Sequence, residues 1–181
     1  MNAANKITLL RIALLPPLVV FLMQDSVLYN WLALTVFLLA AATDWLDGYV
    51  ARSSNEVTRL GKLLDPVADK MLFLAVLLPL VRREIVPDWM AIILLGREFL
   101  VSGLRSVASS EGVIIAADTL GKYKMGFSIT AISFLIIGGW FSYPGHILLW
   151  VTLFLSLVSA GQYFYTYRHL LRASGTKKPE V

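Results

Sequence analysis

Four aspartates stand at helical intervals in one short stretch of the chain: Asp44 and Asp47, then Asp65 and Asp69. In a helix a three-residue interval separates side chains by about 60° and a four-residue interval by about 40°. Each pair therefore shares one helix face. The segments that carry them are joined only by Ser53 to Leu60, and so short a connection makes antiparallel neighbours. Both acidic pairs then meet at similar depth. Carboxylates so placed repel strongly in a low dielectric. They can protonate, pair with arginine or hold a divalent cation, and only the cation uses all their oxygens. Hard oxygen donors without nearby His or Cys suit Mg²⁺ or Mn²⁺ and disfavour zinc. Two ions would suit a site that clamps both sides of an in-line phosphoryl displacement. Carboxylates that only solvate helix ends are the plain alternative, and the cost of ionisable groups within spans argues against it.

The elements that must hold these residues are six hydrophobic helices. They are expected over Ile7 to Met23, Trp31 to Arg52, Gly61 to Val81, Asp88 to Ser109, Thr119 to Trp140 and His146 to Leu171. Each is near the length of a membrane span. Pro16 and Pro17 are expected to kink the first. The polar Met1 to Lys6 is read as a short interfacial helix, and no small-residue cleavage site follows the first apolar run. The polar ends of helices two to five all fall on one side. Most of the Lys and Arg residues fall there too, whereas Arg82 and Arg83 lie at the other end and Arg97 within a span. The positive-inside rule then puts that side, and both termini, in the cytoplasm. Trp31, Trp89, Trp140 and Tyr143 form an aromatic belt at the opposite interface. The expected fold is an all-α integral membrane protein: one domain over residues 1–172 and a basic cytoplasmic tail over 173–181. His146 and His169 are read as interfacial packing, helix six as lipid-facing bulk, and Gly138-Gly139 as a close helix contact or a helix end.

Composition excludes other classes. The chain has 181 residues, 57% hydrophobic and 15% charged, and a mean hydropathy of +0.71. Soluble domains are about 45–50% apolar and about 25% charged. A net charge of +4 without a basic cluster gives no reason to expect a nucleic-acid partner and suits anionic headgroups instead. The absence of cysteine excludes disulfide frameworks and Cys-based zinc sites.

The pattern Asp44-x₂-Asp47-Gly48-x₂-Ala51-Arg52-x₈-Gly61-x₃-Asp65-x₃-Asp69 resembles the signature of the CDP-alcohol phosphotransferase family, at every fixed position. Supporting stretches are Asn5-x₂-Thr8-x₂-Arg11, Gly96-Arg97-Glu98-Phe99 with Arg105, and Gly121-Lys122-x-Lys124. Within the family the chain is most similar to the bacterial members that make phosphatidylglycerol phosphate. The resemblance implies six membrane helices around a cytoplasm-facing polar cavity, a homodimer, and a place in the cell (inner) membrane. It implies phosphatidyl transfer from CDP-diacylglycerol to sn-glycerol 3-phosphate, with release of CMP. Carried over by position, Asp44, Asp47, Asp65 and Asp69 are metal ligands, and Asp69 is also the base for the attacking hydroxyl. Asn5, Thr8, Gly48, Arg52 and Thr58 match positions that touch the CDP moiety. From the residues alone, Gly48 and Ala51 suit either ligand approach or tight helix packing.

A phosphorylated acceptor needs a cationic pocket. Arg97 within its span is costly unless it faces a cavity or an anion. Arg105 lies about 80° round the same helix, and Lys122 and Lys124 enter from the next one. Arginine grips phosphate with paired donors and lysine acts as a point charge. The plain alternatives are a pair between Arg97 and Glu98 or another acid, and positive-inside anchoring for the other three. Another acceptor, such as inositol phosphate, would leave the aspartate signature unchanged. A cation transporter using the aspartates as its ion site is the reading from another class; acids toward one face and the lack of a repeat count against it.

Overall fold

Apolar runs broken by a few turn residues give an all-helical chain among the described residues. The computed structural model describes residues 3–54, 59–110 and 119–174, with side chains over 6–43, 66–106, 108 and 123–165. Its helices are α1 (Ala3–Leu22), α2 (Val27–Ser54), α3 (Arg59–Arg82), α4 (Asp88–Ser110), α5 (Thr119–Ile137) and α6 (Ser142–Ser174). A single 3₁₀ turn, Gly139–Phe141, lies between α5 and α6.

Several expected boundaries shift. α1 begins at Ala3 and runs through Pro16 and Pro17, so the polar start is its first turn and not a separate interfacial helix. No breaker separates Lys6 from Ile7; the sequence changes polarity there without changing backbone. α5 stops at Ile137 because Gly138 and Gly139 take positive φ, +75° and +58°. α6 starts at Ser142, and Pro144 falls in its first turn, where a missing N–H costs little. α3 closes in a Schellman arrangement: the Ile85 N–H donates to the Leu80 carbonyl at 3.0 Å and the Glu84 N–H to that of Val81 at 2.9 Å. Glu84 occupies the left-handed position, at φ +57°.

The helices pack in a closed ring in the order α1, α2, α5, α6, α4, α3, with α3 also touching α2 and α5 across the middle. Consequently, among the described residues, α2 and α3, expected as direct neighbours, touch each other less than each touches α1. The core runs along the inner faces, through Leu18, Phe37, Val76, Met90, Ile132 and Leu149. Gly145 of α6 lies so near α5 that a Cβ there would sit 3.0 Å from Leu135.

The end of the ring away from the aspartates is tied by polar contacts. Arg83 donates to Asn30 at 2.8 Å and to Asp25 at 2.9 Å, joining the α3–α4 turn to the start of α2. His146 Nε2 lies 2.8 Å from the Ile85 carbonyl, joining that turn to α6. Trp31, Trp89, Trp140 and Tyr143 are all exposed at this end. Among the described residues one stretch, the 27 residues Gly139–Tyr165, is long and apolar enough to cross a membrane. Within the described residues, the apolar parts of α2 and α5 cover Val27–Thr43 and Tyr123–Ile137.

Candidate active site

The acidic pairs fall within unbroken helix. Asp44 and Asp47 lie in α2, and Asp65 and Asp69 lie in α3. Within each pair the backbone is therefore helical at the interval of three or four residues. Asn5, Asp44, Asp47, Gly48, Arg52, Asp65 and Lys122 are placed in their helices, but their side chains lie outside the described residues; Thr58 lies outside them altogether. Asp69 is described and half-buried. Ala68 beside it is fully buried. Thr8 and Arg11, three apart on α1, are both buried. A set of four carboxylates, all oxygen donors on helices of one end, suits a hard divalent cation.

Within electrostatic reach of Asp69 lies a cationic cluster. The Asp69 carboxylate acts electrostatically on Lys124 of α5. Lys124 is ion-paired with Glu98 of α4. The same Glu98 oxygen accepts from Arg97 Nη1 at 2.9 Å. Arg97, only 7% exposed, also donates through Nε to the Ser156 carbonyl at 2.9 Å and through Nη2 to Ser159 Oγ at 2.8 Å. A guanidinium has five N–H donors, so these three contacts hold it in place and, among the described residues, leave two donors without a contact. About two turns beyond Arg97 on α4, Arg105 donates to the Tyr163 hydroxyl at 2.6 Å. A space of about 20 Å³ lies under the cluster, with Glu98, Lys124, Ser128 and Ser156 in its wall. That is room for one water.

Of the expected acceptor residues, Arg97 and Lys124 are thus brought together through Glu98, and Arg105 stands apart on Tyr163. Sequence reasoning missed the partners. Glu98 entered it only as a motif residue and as a possible pair for Arg97. Helix six was expected as lipid-facing bulk, yet Thr152, Ser156, Ser159 and Tyr163 are all buried along one stripe. The signal was present in their spacing of four, three and four, which repeats one helix face.

The family model described as CDP-alcohol phosphatidyltransferase matches residues 1–158. The chain belongs to this family. Among its relatives is a Bacillus subtilis (strain 168) protein named CDP-diacylglycerol--glycerol-3-phosphate 3-phosphatidyltransferase. It is 40% identical over 183 residues, spanning 90% of this chain and 93% of its own. A Rickettsia bellii (strain RML369-C) protein of the same name is 37% identical over 169 residues, with the same two coverages. An Arabidopsis thaliana relative, named as the chloroplastic/mitochondrial form of that transferase, is 35% identical over 87% of this chain and 60% of its own. The CDP-alcohol phosphatidyltransferase match takes in all four aspartates, Glu98, Lys124 and Ser156; Ser159 and Tyr163 lie past its end.

Proposed function

We infer that the chain transfers the phosphatidyl group of CDP-diacylglycerol to sn-glycerol 3-phosphate, giving phosphatidylglycerol phosphate and CMP. The near full-length likeness to relatives named for that reaction carries this reading. The cluster of Arg97, Glu98 and Lys124, within electrostatic reach of Asp69, supports a phosphorylated acceptor. Its two cations share one carboxylate, which leaves a positive surplus for an anion.

The acceptor hydroxyl attacks the phosphatidyl phosphorus, its proton passes to Asp69, and the bond to the CMP oxygen breaks. A carboxylate is needed because a hydroxyl is a poor nucleophile until its proton is taken. Asp44, Asp47, Asp65 and Asp69 would hold Mg²⁺ or Mn²⁺, two ions in this reading, which when bound would neutralise charge on the pyrophosphate donor. Asn5, Thr8, Gly48, Arg52 and Thr58 bind the CDP moiety. Arg105, Lys122 and Lys124 meet the acceptor phosphate, and Arg97 adds charge while fixing Glu98.

The same proposal puts all six helices in the cell membrane, with both termini and a polar cavity on the cytoplasmic side and two copies forming a homodimer. The surface supports the embedding. Ile92, Leu100, Trp150 and Phe154 are exposed, whereas Thr8, Arg11 and Arg97 are buried. A protein with apolar side chains outside and arginines within fits lipid better than water. CMP release by the purified protein tests the reaction, with glycerol 3-phosphate, inositol 1-phosphate, serine or phosphatidylglycerol added in turn to CDP-diacylglycerol and Mg²⁺. Release that needs glycerol 3-phosphate is expected. Release with another alcohol would replace the acceptor assignment, and no release at all would overturn the reaction.

A further inference from the structure

Between α1 and α3, on the outside of the ring, runs a groove of about 730 Å³. It is in the size range of ligand clefts. Leu15, Val19, Met71, Ala75 and Leu78 are among its walls, and every lining residue is apolar except Arg82 at one end. The groove runs from Ile12 in α1 to Met23 just past its end, and along α3 from Met71 to Arg82. At 1.5 Å per residue that is about 16 Å, close to half of a hydrocarbon core about 30 Å thick. Arg82 is exposed and has no hydrogen bond or ion pair among the described residues. Its neighbour Arg83 is held by Asp25 and Asn30. The site chemistry at the other end of the ring makes no use of Arg82.

We propose that this groove seats an acyl chain of an anionic phospholipid in the leaflet away from the aspartates, with the lipid phosphate on Arg82. A slot one leaflet deep, apolar along its length and cationic at its interfacial end, is complementary to one lipid, head and tail. Arginine suits the phosphodiester because its fork offers paired donors. The inference rests on the membrane-embedded reading above.

The chain has no cysteine, so single-cysteine probes are clean. A bimane on Leu78→Cys reports the groove. A bimane on Phe154→Cys, at an exposed site on α6, reports ordinary boundary lipid. Each protein is placed in phosphatidylcholine vesicles with chain-brominated phosphatidylglycerol or chain-brominated phosphatidylcholine as quencher. At Leu78, half-quenching is expected at about five-fold lower mole fraction of the anionic lipid, the preference one interfacial cation confers. Arg82→Gln should erase that preference while CMP release persists, which shows the variant to be folded. The Phe154 probe should not distinguish the lipids. Equal quenching at Leu78, or a preference that survives Arg82→Gln, would overturn the proposal. So would a Leu78 probe that neither lipid reaches while Phe154 is quenched, which would mean a second copy covers the groove. Stronger quenching by brominated CDP-diacylglycerol, insensitive to Arg82→Gln, would make the groove a seat for donor tails instead. If neither lipid quenches at Phe154, the membrane reading itself fails.

Discussion

Lys124 of α5 is ion-paired with Glu98 of α4, although α6 stands between those helices in the ring. The same carboxylate oxygen holds Arg97, and Arg97 is anchored on α6 through Ser156 and Ser159. Three helices are thereby locked around one acid. The ammonium at the end of this chain of contacts is the one that feels Asp69. Position and charge of the Arg97–Glu98–Lys124 cluster are therefore set together.

Glu98→Gln removes the shared carboxylate and leaves two poorly compensated cations. Breaking a buried pair from one side costs about 3 kcal/mol. Lower thermal stability in detergent is expected, with a raised KM for glycerol 3-phosphate and a donor KM little changed. Glu98→Asp should recover part of both. An unchanged acceptor KM would separate the cluster from the substrate.

Asp69→Asn should lower turnover by about 10²- to 10⁴-fold, the usual worth of a positioned base. CDP-diacylglycerol binding should largely persist, because Asp44, Asp47 and Asp65 remain. Binding by isothermal titration and CMP release, measured on the same sample, separate these effects. Full turnover in the variant would reject Asp69 as the base.

Chelation should abolish CMP release, and added Mg²⁺ or Mn²⁺ should restore it, since carboxylates alone favour hard cations. Activity that survives exhaustive chelator dialysis would leave the four aspartates without their proposed ions.

Tyr163→Phe removes the hydroxyl that accepts from Arg105 and keeps the ring. Hydrogen bonds to charged groups are worth about 1.5–3 kcal/mol. An acceptor KM raised roughly ten-fold is expected, or less where water replaces the hydroxyl. Steady-state kinetics with each substrate varied in turn would show it, and a change confined to the donor would move Arg105 out of the acceptor pocket.

Two backbone positions give opposite stability predictions. Glu84 holds a left-handed conformation that costs an L-residue about 1–2 kcal/mol, so Glu84→Gly should raise thermal stability. Gly138 has φ +75° and ψ −162°, a region that costs other residues about 1–3 kcal/mol. Gly138→Ala should lower stability. Melting curves followed by circular dichroism check both.

The helices were legible because each needs a long apolar run, and the helical spacing of Asp44, Asp47, Asp65 and Asp69 was legible because all four fall within unbroken helix. The ring order was not. Short connections suggested that α2 lies directly against α3, but α1 takes much of that contact, a matter of shape that composition does not encode. The stripe from Thr152 to Tyr163 was hidden for another reason. Serine and threonine can return their hydroxyls to their own helix, as Thr152 does to the Leu148 carbonyl at 2.8 Å, so in an apolar helix they carry little signal until a partner such as Arg97 is known. Arg97 itself was noticed for its cost, but whether that cost is met by Glu98, by Ser156 and Ser159 or by a substrate depends on a helix almost sixty residues away.

The ring order also bears on biogenesis. The helices leave the ribosome as α1 to α6, but the ring closes only when α6 arrives between α5 and α4. Until then Arg97 and Arg105 lack Ser156, Ser159 and Tyr163, and α4 must wait with two arginines short of their acceptors on α6. α6 is thus the segment that completes the acceptors of the arginine-bearing helix. A chain stopped after α5 would present the cell's quality-control proteases with an unfinished charge, and its half-life in a pulse-chase experiment should be short beside that of the whole chain.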